Sequence, residues 1–182
     1  MNNLFVYGSL LNIASAKVIF HSISPSDYQP YVLNDYSLEF NIHVPVYTSE
    51  WSGDASFLNV QYNTNAQVLG MLLQVSEQQM LELKKREKYY DLISIKEDNG
   101  KIIKTFSQSS LGSTDISLYT PILEKYIAKI ECGINVFEDE FSDAYRIQLE
   151  KALRGRALVY GQYVFQDNEI NKLTDHHNNY DQ

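Results

Sequence analysis

The chain has little that would tie it to a membrane, to nucleic acid or to a disulfide framework. Its one cysteine, Cys132, cannot close an internal disulfide, and this favours a reducing compartment. No apolar run approaches the roughly 20 residues that cross a bilayer, and no basic-then-apolar secretory signal stands at the N-terminus. A cytoplasmic protein without a membrane partner is expected. Basic residues number 15 against 23 acidic ones, a formal net charge of −8. No cluster of Lys and Arg is long enough to follow a phosphate backbone, which argues against a nucleic-acid partner. The histidines, His21, His43, His176 and His177, show no ligand spacing with cysteine or carboxylates, so no metal site is expected. A phosphate-binding P-loop, a dinucleotide fingerprint and the G-x-S-x-G elbow are missing too, which makes Ser9 a poor nucleophile.

What is present is a globular composition. Hydrophobic residues make up 44% and charged residues 21% of 182 positions, enough for one domain with a real core. That domain is expected over 1–166, with a polar, mobile tail over 167–182 ending in DHHNNYDQ. Strands are expected at Leu4–Tyr7, Tyr31–Phe40, Phe57–Gln61 and Gln67–Val75. Pro30 and Pro45 should limit the regularity of the second, and Trp51–Ser56 reads as a loop with Gly53 and Asp54 as turn residues. Leu11–Phe20 carries helix-spaced apolar residues. Ser76-Glu77-Gln78-Gln79 is a capping box, opening a helix whose end is made positive by Lys84, Lys85, Arg86 and Lys88. A hairpin turns at Asp98-Asn99-Gly100, and Gln108–Thr114 is a Ser/Gly-rich loop. Thr120-Pro121 reads as a helix start and Cys132-Gly133 as its end; a second late helix covers Ser142–Leu153, and Arg156–Phe165 adds a strand. Strands early and helices late make the class α+β.

Two stretches carry candidate chemistry. In Leu4–Leu11, LFVYGSLL, an apolar strand breaks at Gly8-Ser9. The plain reading is a strand ending in a glycine turn; the alternative is a small anion cradle of backbone amides past the strand end. Downstream, Glu87 lies where LELKKREKYY passes from helix to strand. Its plain reading is a solvated charge paired with Lys84 or Lys88. Beside Tyr89 and Tyr90 it could instead enter a partly apolar pocket, where desolvation would raise its pKa and make it a base near neutral pH.

Y-G-S-L (Tyr7 to Leu10) together with R-E-x-x-Y (Arg86, Glu87, Tyr90) resembles the γ-glutamyl cyclotransferase-like superfamily, which includes AIG2-like and ChaC-like proteins. Leu38-Glu39-Phe40, Gly53-Asp54-Ala55 and the V-x-G strand Val68–Leu73 extend the resemblance, as do Thr120-Pro121, Tyr126, Gly133 and Tyr145. It covers about Leu4 to Leu153. It implies a small mixed β-barrel flanked by helices, with a pocket at the barrel mouth. The implied activity releases 5-oxoproline from a γ-glutamyl amino acid, peptide or amine, the α-amine attacking the γ-carbonyl of the same molecule, so no cofactor is needed. Glu87 would be the general acid/base, and Tyr7, Gly8, Ser9 and Leu10 would hold the γ-glutamyl head, with Tyr90 and Phe106 lining the pocket. Phe106 stands where some relatives carry a tyrosine; Tyr119 or Tyr90 could replace its hydroxyl. The segment after Leu153 has no counterpart and could complete the sheet, cover the pocket or pair subunits. A non-catalytic binding module of the same fold, or a transferase acting on a related amide, are the rival readings. The leaving group and the oligomeric state are not encoded legibly.

Overall fold

The structure, a computed structural model, describes residues 1–108 and 120–174. Its spine is a pair of long strands, β2 (Gln29–Thr48) and β3 (Ser52–Val75), antiparallel from Gln29↔Leu72 to Tyr47↔Ser52. Along β3, Val68, Met71, Leu73 and Val75 are all at most 2% exposed, as the apolar run QVLGMLLQV demands. β1 (Asn2–Val6) pairs antiparallel with the C-terminal end of β3 and parallel with β5 (Ile102–Ser107). β5 forms a hairpin with β4 (Asp91–Lys96), whose turn uses Gly100 at φ +85°. The hairpin expected at Asp98-Asn99-Gly100 is therefore present.

The class is α+β with a mixed sheet and helices packed against it, as expected, but the strands do not close a barrel. The ladder runs β4-β5-β1-β3-β2-β8, with β8 (Tyr163–Phe165) on the far edge of β2. The other side of β3 is shared by β1, pairing with residues 71–75, and β6 (Ile122–Leu123), pairing at Ser56. Between those two stretches no ladder among the described residues covers this side of β3, because β1 ends at Val6 and the chain turns away at Gly8. Side chains bond two of the strand carbonyls there, Ser107 Oγ donating to Val60 at 2.7 Å and Tyr90 Oη to Leu58 at 2.7 Å, while the Asn59 side chain bonds both backbone groups of Gln108. Among the described residues the gap in the barrel is thus lined by polar side chains.

The remaining described elements are α1 (Ile13–Phe20), α2 (Glu77–Arg86), α3 (Glu124–Ile134), α4 (Asp139–Leu153), β7 (Leu158–Val159) and α5 (Asn168–Lys172). The capping box is realised: Ser76 Oγ accepts from the Gln79 amide at 3.2 Å, and Gln79 Oε1 accepts from the Ser76 amide at 2.8 Å.

Several expectations need correction. Gly53 and Asp54 are strand residues paired with Val46 and Pro45, and the turn lies one step earlier, with the Thr48 amide bonded to the Trp51 carbonyl. A Cβ at Gly53 would lie 2.7 Å from the Trp51 ring, so glycine here admits the indole. Pro30 and Pro45 sit inside β2 without ending it, since among the described residues most of its outer edge carries no strand. Thr120-Pro121 does not start α3; both carbonyls are used across the sheet, by Arg156 and by the Ser56 amide. Gly133 lies within α3, where a Cβ would fall 2.6 Å from the Asn12 backbone. The run Arg156–Phe165 is broken at Gly161, φ +104°, into two short strands. Of the tail expected from 167, residues 168–172 form α5 with Ile170 buried; Tyr119, most of the Gln108–Thr114 loop and the two tail histidines lie outside the described residues.

The α3 contact is testable. Gly133→Ala places a methyl group against backbone that has no rotamer to yield, and is expected to lower unfolding free energy by about 1–3 kcal/mol. Urea denaturation should show a lower midpoint at an unchanged slope.

Candidate active site

β1 delivers Tyr7 to the sheet's open side, and the chain then turns through Gly8 into a single 3₁₀ turn, Ser9–Leu11. Gly8 has φ +104°, a left-handed angle that favours glycine, and a Cβ there would lie 3.0 Å from the Tyr126 hydroxyl. Both backbone and neighbour therefore require this residue. Among the described residues nothing accepts a hydrogen bond from the Ser9 or Leu10 amides. The turn is braced behind by Asn12, whose Oδ1 accepts from the Ser15 amide at 3.1 Å and whose Nδ2 donates to the Lys129 carbonyl at 3.0 Å. Helix α3 thereby fixes the loop, and the missing Cβ of Gly133 allows the close approach.

Arg86 ends α2 but does not face solvent like the lysines around it. It is 4% exposed. Its guanidinium donates to the Ser15 carbonyl at 2.8 Å, to Ser15 Oγ at 2.9 Å and to Ser9 Oγ at 3.1 Å, while Nε lies 3.1 Å from Glu87 Oε1. One cation joins the Gly8-Ser9 turn, the first turn of α1 and the Glu87 carboxylate. Glu87 itself caps α2, its amide bonded to the Leu83 carbonyl at 2.8 Å. Neither Lys84 nor Lys88 is its partner; Lys88 pairs with Asp167. Burial raises the Glu87 pKa above its ordinary value, and the Arg86 charge restrains that rise.

Tyrosine hydroxyls complete the rim. Tyr7 Oη donates to the Phe106 carbonyl at 2.5 Å, and Tyr90 Oη donates to the Leu58 carbonyl at 2.7 Å. Burial holds the pKa values of Tyr7, Tyr90 and Tyr126 well above the ordinary phenol value, so all three remain protonated donors at neutral pH. These groups surround a cavity of about 80 Å³, room for several waters or a small ligand. Tyr7, Gly8, Ser9, Leu10, Glu87, Tyr90 and Phe106 all line it, so these seven sequence candidates share one cavity, while Tyr119 lies outside the described residues. Phe106 contributes its ring to the lining and its carbonyl to Tyr7. Tyr90, a candidate to replace the absent hydroxyl at 106, already spends its own on Leu58.

Other lining residues were not singled out. Arg86 was concealed in a run of surface lysines, although its place in R-E-x-x-Y marked it. Tyr126 was concealed in an apolar helix stripe, where a buried tyrosine gives no local sign of what its hydroxyl meets. Tyr163, Phe165, Ile170 and Thr174 form a further wall, contributed by the segment after Leu153. That segment both extends the sheet and covers the pocket.

No family model and no curated protein matches this chain. Solved structures do. An uncharacterised human protein, loc79017, superposes with a TM-score of 0.54 at 16% identity, covering 80% of this chain and 86% of the other. YkqA from Bacillus subtilis gives 0.58 at 19%, with 87% of this chain matched to 56% of that longer one. A γ-glutamyl cyclotransferase gives 0.53 at 19%, covering 80% and 86%. The fold is γ-glutamyl cyclotransferase-like. At these identities the likeness establishes architecture, and the pocket's own residues must carry any statement about chemistry.

Two measurements probe the Arg86–Glu87 pair. Arg86→Met leaves a buried carboxylate without its cation, which should cost about 3–5 kcal/mol in urea unfolding and shift the Glu87 carboxyl titration, followed by NMR, further upward. Because the folded-state pKa of Glu87 is raised, protonated Glu87 contributes stability fully below its ordinary value of 4.5, and that contribution is lost as pH rises through the raised value. Glu87→Gln removes this dependence. Its stability relative to the native chain should therefore increase from pH 4 towards neutrality, with equal slopes disproving the shift.

Proposed function

We propose that this protein is a cofactor-independent enzyme that releases 5-oxoproline from a γ-glutamyl amide, with Glu87 as the general acid/base. The observation that carries this reading is the Arg86 bridge: one guanidinium reaches Ser9 Oγ and Glu87 Oε1, both at 3.1 Å, so a carboxylate and two amides without acceptors share one small cavity. A γ-glutamyl head offers each of them a partner. Its α-carboxylate fits the Ser9 and Leu10 amides, and its α-ammonium fits Glu87.

In this reading Glu87 takes a proton from the ammonium, and the freed amine attacks the γ-carbonyl carbon of the same molecule. Both reacting atoms are already joined by the glutamyl chain, so positioning supplies much of the rate. The carbonyl oxygen gains charge as the five-membered ring closes. Protonated Glu87 then passes its proton to the departing nitrogen, and the original C–N bond breaks as the carbonyl re-forms. The Glu87 carboxylate takes the second proton from the ring nitrogen and releases it to solvent, so that 5-oxoproline and an amine leave. A carboxyl group with an elevated pKa suits these transfers, because it accepts and returns a proton near neutral pH. Arg86 positions this carboxylate and restrains its pKa.

The test is an assay for 5-oxoproline on γ-glutamyl dipeptides, γ-glutamylamines and glutathione. Glu87→Gln is expected to lower kcat/KM by about 10²- to 10⁴-fold, as for removal of a general base. The native profile should rise with pH along an acid limb that the variant lacks. Undiminished turnover in Glu87→Gln would remove it from the mechanism. Calorimetric binding of γ-glutamyl compounds without product would favour a binding module.

A further inference from the structure

The residues after Leu153 build the part of the cavity that the γ-glutamyl reading leaves unassigned. Resting on that reading, we propose that this segment forms the leaving-group subsite and selects an apolar, carboxylate-free amine, with an aromatic ring as its best occupant.

The geometry runs in one direction. The Tyr126 hydroxyl lies against Gly8, at the head end of the cavity. Its ring meets Phe57 edge-on with centroids 4.7 Å apart, and Phe57 meets Phe165 at 5.5 Å and Tyr163 at 6.2 Å. Phe165 and Tyr163 meet each other at 5.6 Å. An unbroken aromatic wall thus leads from the Gly8 turn to β8. If the α-carboxylate is held at the turn and the ammonium at Glu87, the substituent on the γ-carbonyl extends along this wall.

The lining at the far end is Val44, Phe57, Tyr163, Phe165, Ile170 and Thr174, and all but Phe165 and Thr174 are at most 4% exposed. None of them carries a charge. Of the two cationic residues that line the cavity, Arg86 bonds Ser9 at the head end, and the Lys129 backbone carbonyl accepts from Asn12 beside the same turn. A leaving group bearing a carboxylate would bury its charge against these aromatic faces, at a desolvation cost. A phenyl ring would gain apolar burial and aromatic contact.

This wall is also held in register with the base. β8 pairs with Val46–Thr48 of β2, Asp167 caps α5 by accepting from the Glu169 amide at 2.8 Å, and Asp167 pairs with Lys88, the neighbour of Glu87. The segment is fixed at one end to the sheet and at the other to the α2 terminus.

Three amides that differ by one feature each decide the matter: γ-glutamyl-ethylamine, γ-glutamyl-phenethylamine and γ-glutamyl-phenylalanine. The phenethyl amide should exceed the ethyl amide in kcat/KM by about tenfold or more. It should exceed the phenylalanine amide, which adds only a carboxylate, by a similar factor. Phe165→Lys, on an edge strand that tolerates charge, should reverse the second preference, with circular dichroism and melting confirming that the variant is folded. Equal rates for ethyl and phenethyl amides, a native preference for phenylalanine, or ratios unmoved by Phe165→Lys would overturn the subsite. If no amide yields 5-oxoproline, the catalytic reading fails, and calorimetry with the same three compounds still decides the subsite. The same order of affinities supports it; equal affinities or no binding overturn it.

Discussion

A single buried guanidinium holds this site together. Arg86 arrives at the end of a well-capped helix and is taken out of water almost completely, which is costly unless its donors are matched. They are matched by groups from three places: Ser9 in the turn after β1, Ser15 in the first turn of α1, and Glu87 beside it in sequence. Each partner also depends on the cation. Without it the turn loses the bond to Ser9 Oγ, the start of α1 loses two, and Glu87 becomes an isolated carboxyl under desolvation. The turn, the helix and the carboxylate therefore share one electrostatic constraint, and the cavity they enclose inherits its geometry from it.

The sheet supplies the space that this constraint encloses. β1 stops at Val6 because Gly8 turns the chain, and β3 continues far beyond it. The Leu58 and Val60 carbonyls left over there accept from Tyr90 and Ser107, and the Asn59 side chain bonds the backbone of Gln108. A closed barrel would have filled the same region with a ladder. These side-chain partners offset the cost of leaving the two buried carbonyls unpaired. Fold and site are in this sense one feature, since the incomplete barrel is the cavity.

Much of this was legible in the sequence, for reasons that can be named. The capping box at Ser76 and the turn at Asp98-Asn99-Gly100 are local chemistry, and both were realised where local chemistry placed them. Tyr7 to Leu10 and Glu87 were found through motif order and spacing, and they meet across 77 residues because Arg86 reaches Ser9. What stayed hidden was contact between distant parts. Gly53, Gly70 and Gly133 read as turn, strand and cap signals, whereas a Cβ at each would strike a ring or backbone at 2.7 Å or less. Glycine writes the same letter for a bend and for a close approach. The inward turn of Arg86, among lysines that stay outside, depends on Ser9 and Ser15 and has no signal of its own. The joining of two strand candidates and a presumed loop into the single β3 reflects pairing with β2, which overrides local propensity.

The attachment of β8 has a consequence for how such a pocket can change. This strand adds three residues to a sheet edge, and α5 adds one short turn beyond it. Its tether to Lys88 is a partly exposed ion pair, worth at most about 1 kcal/mol. Tyr163 and Ile170 of this segment are buried, Phe165 is partly open, and together they supply one whole wall of the cavity. Replacements at Tyr163, Phe165, Ile170 and Thr174 can reshape that wall without disturbing Arg86 or the turn after β1. The chain keeps its costly electrostatics and its adjustable surface on separate stretches, so drift in one need not be compensated in the other.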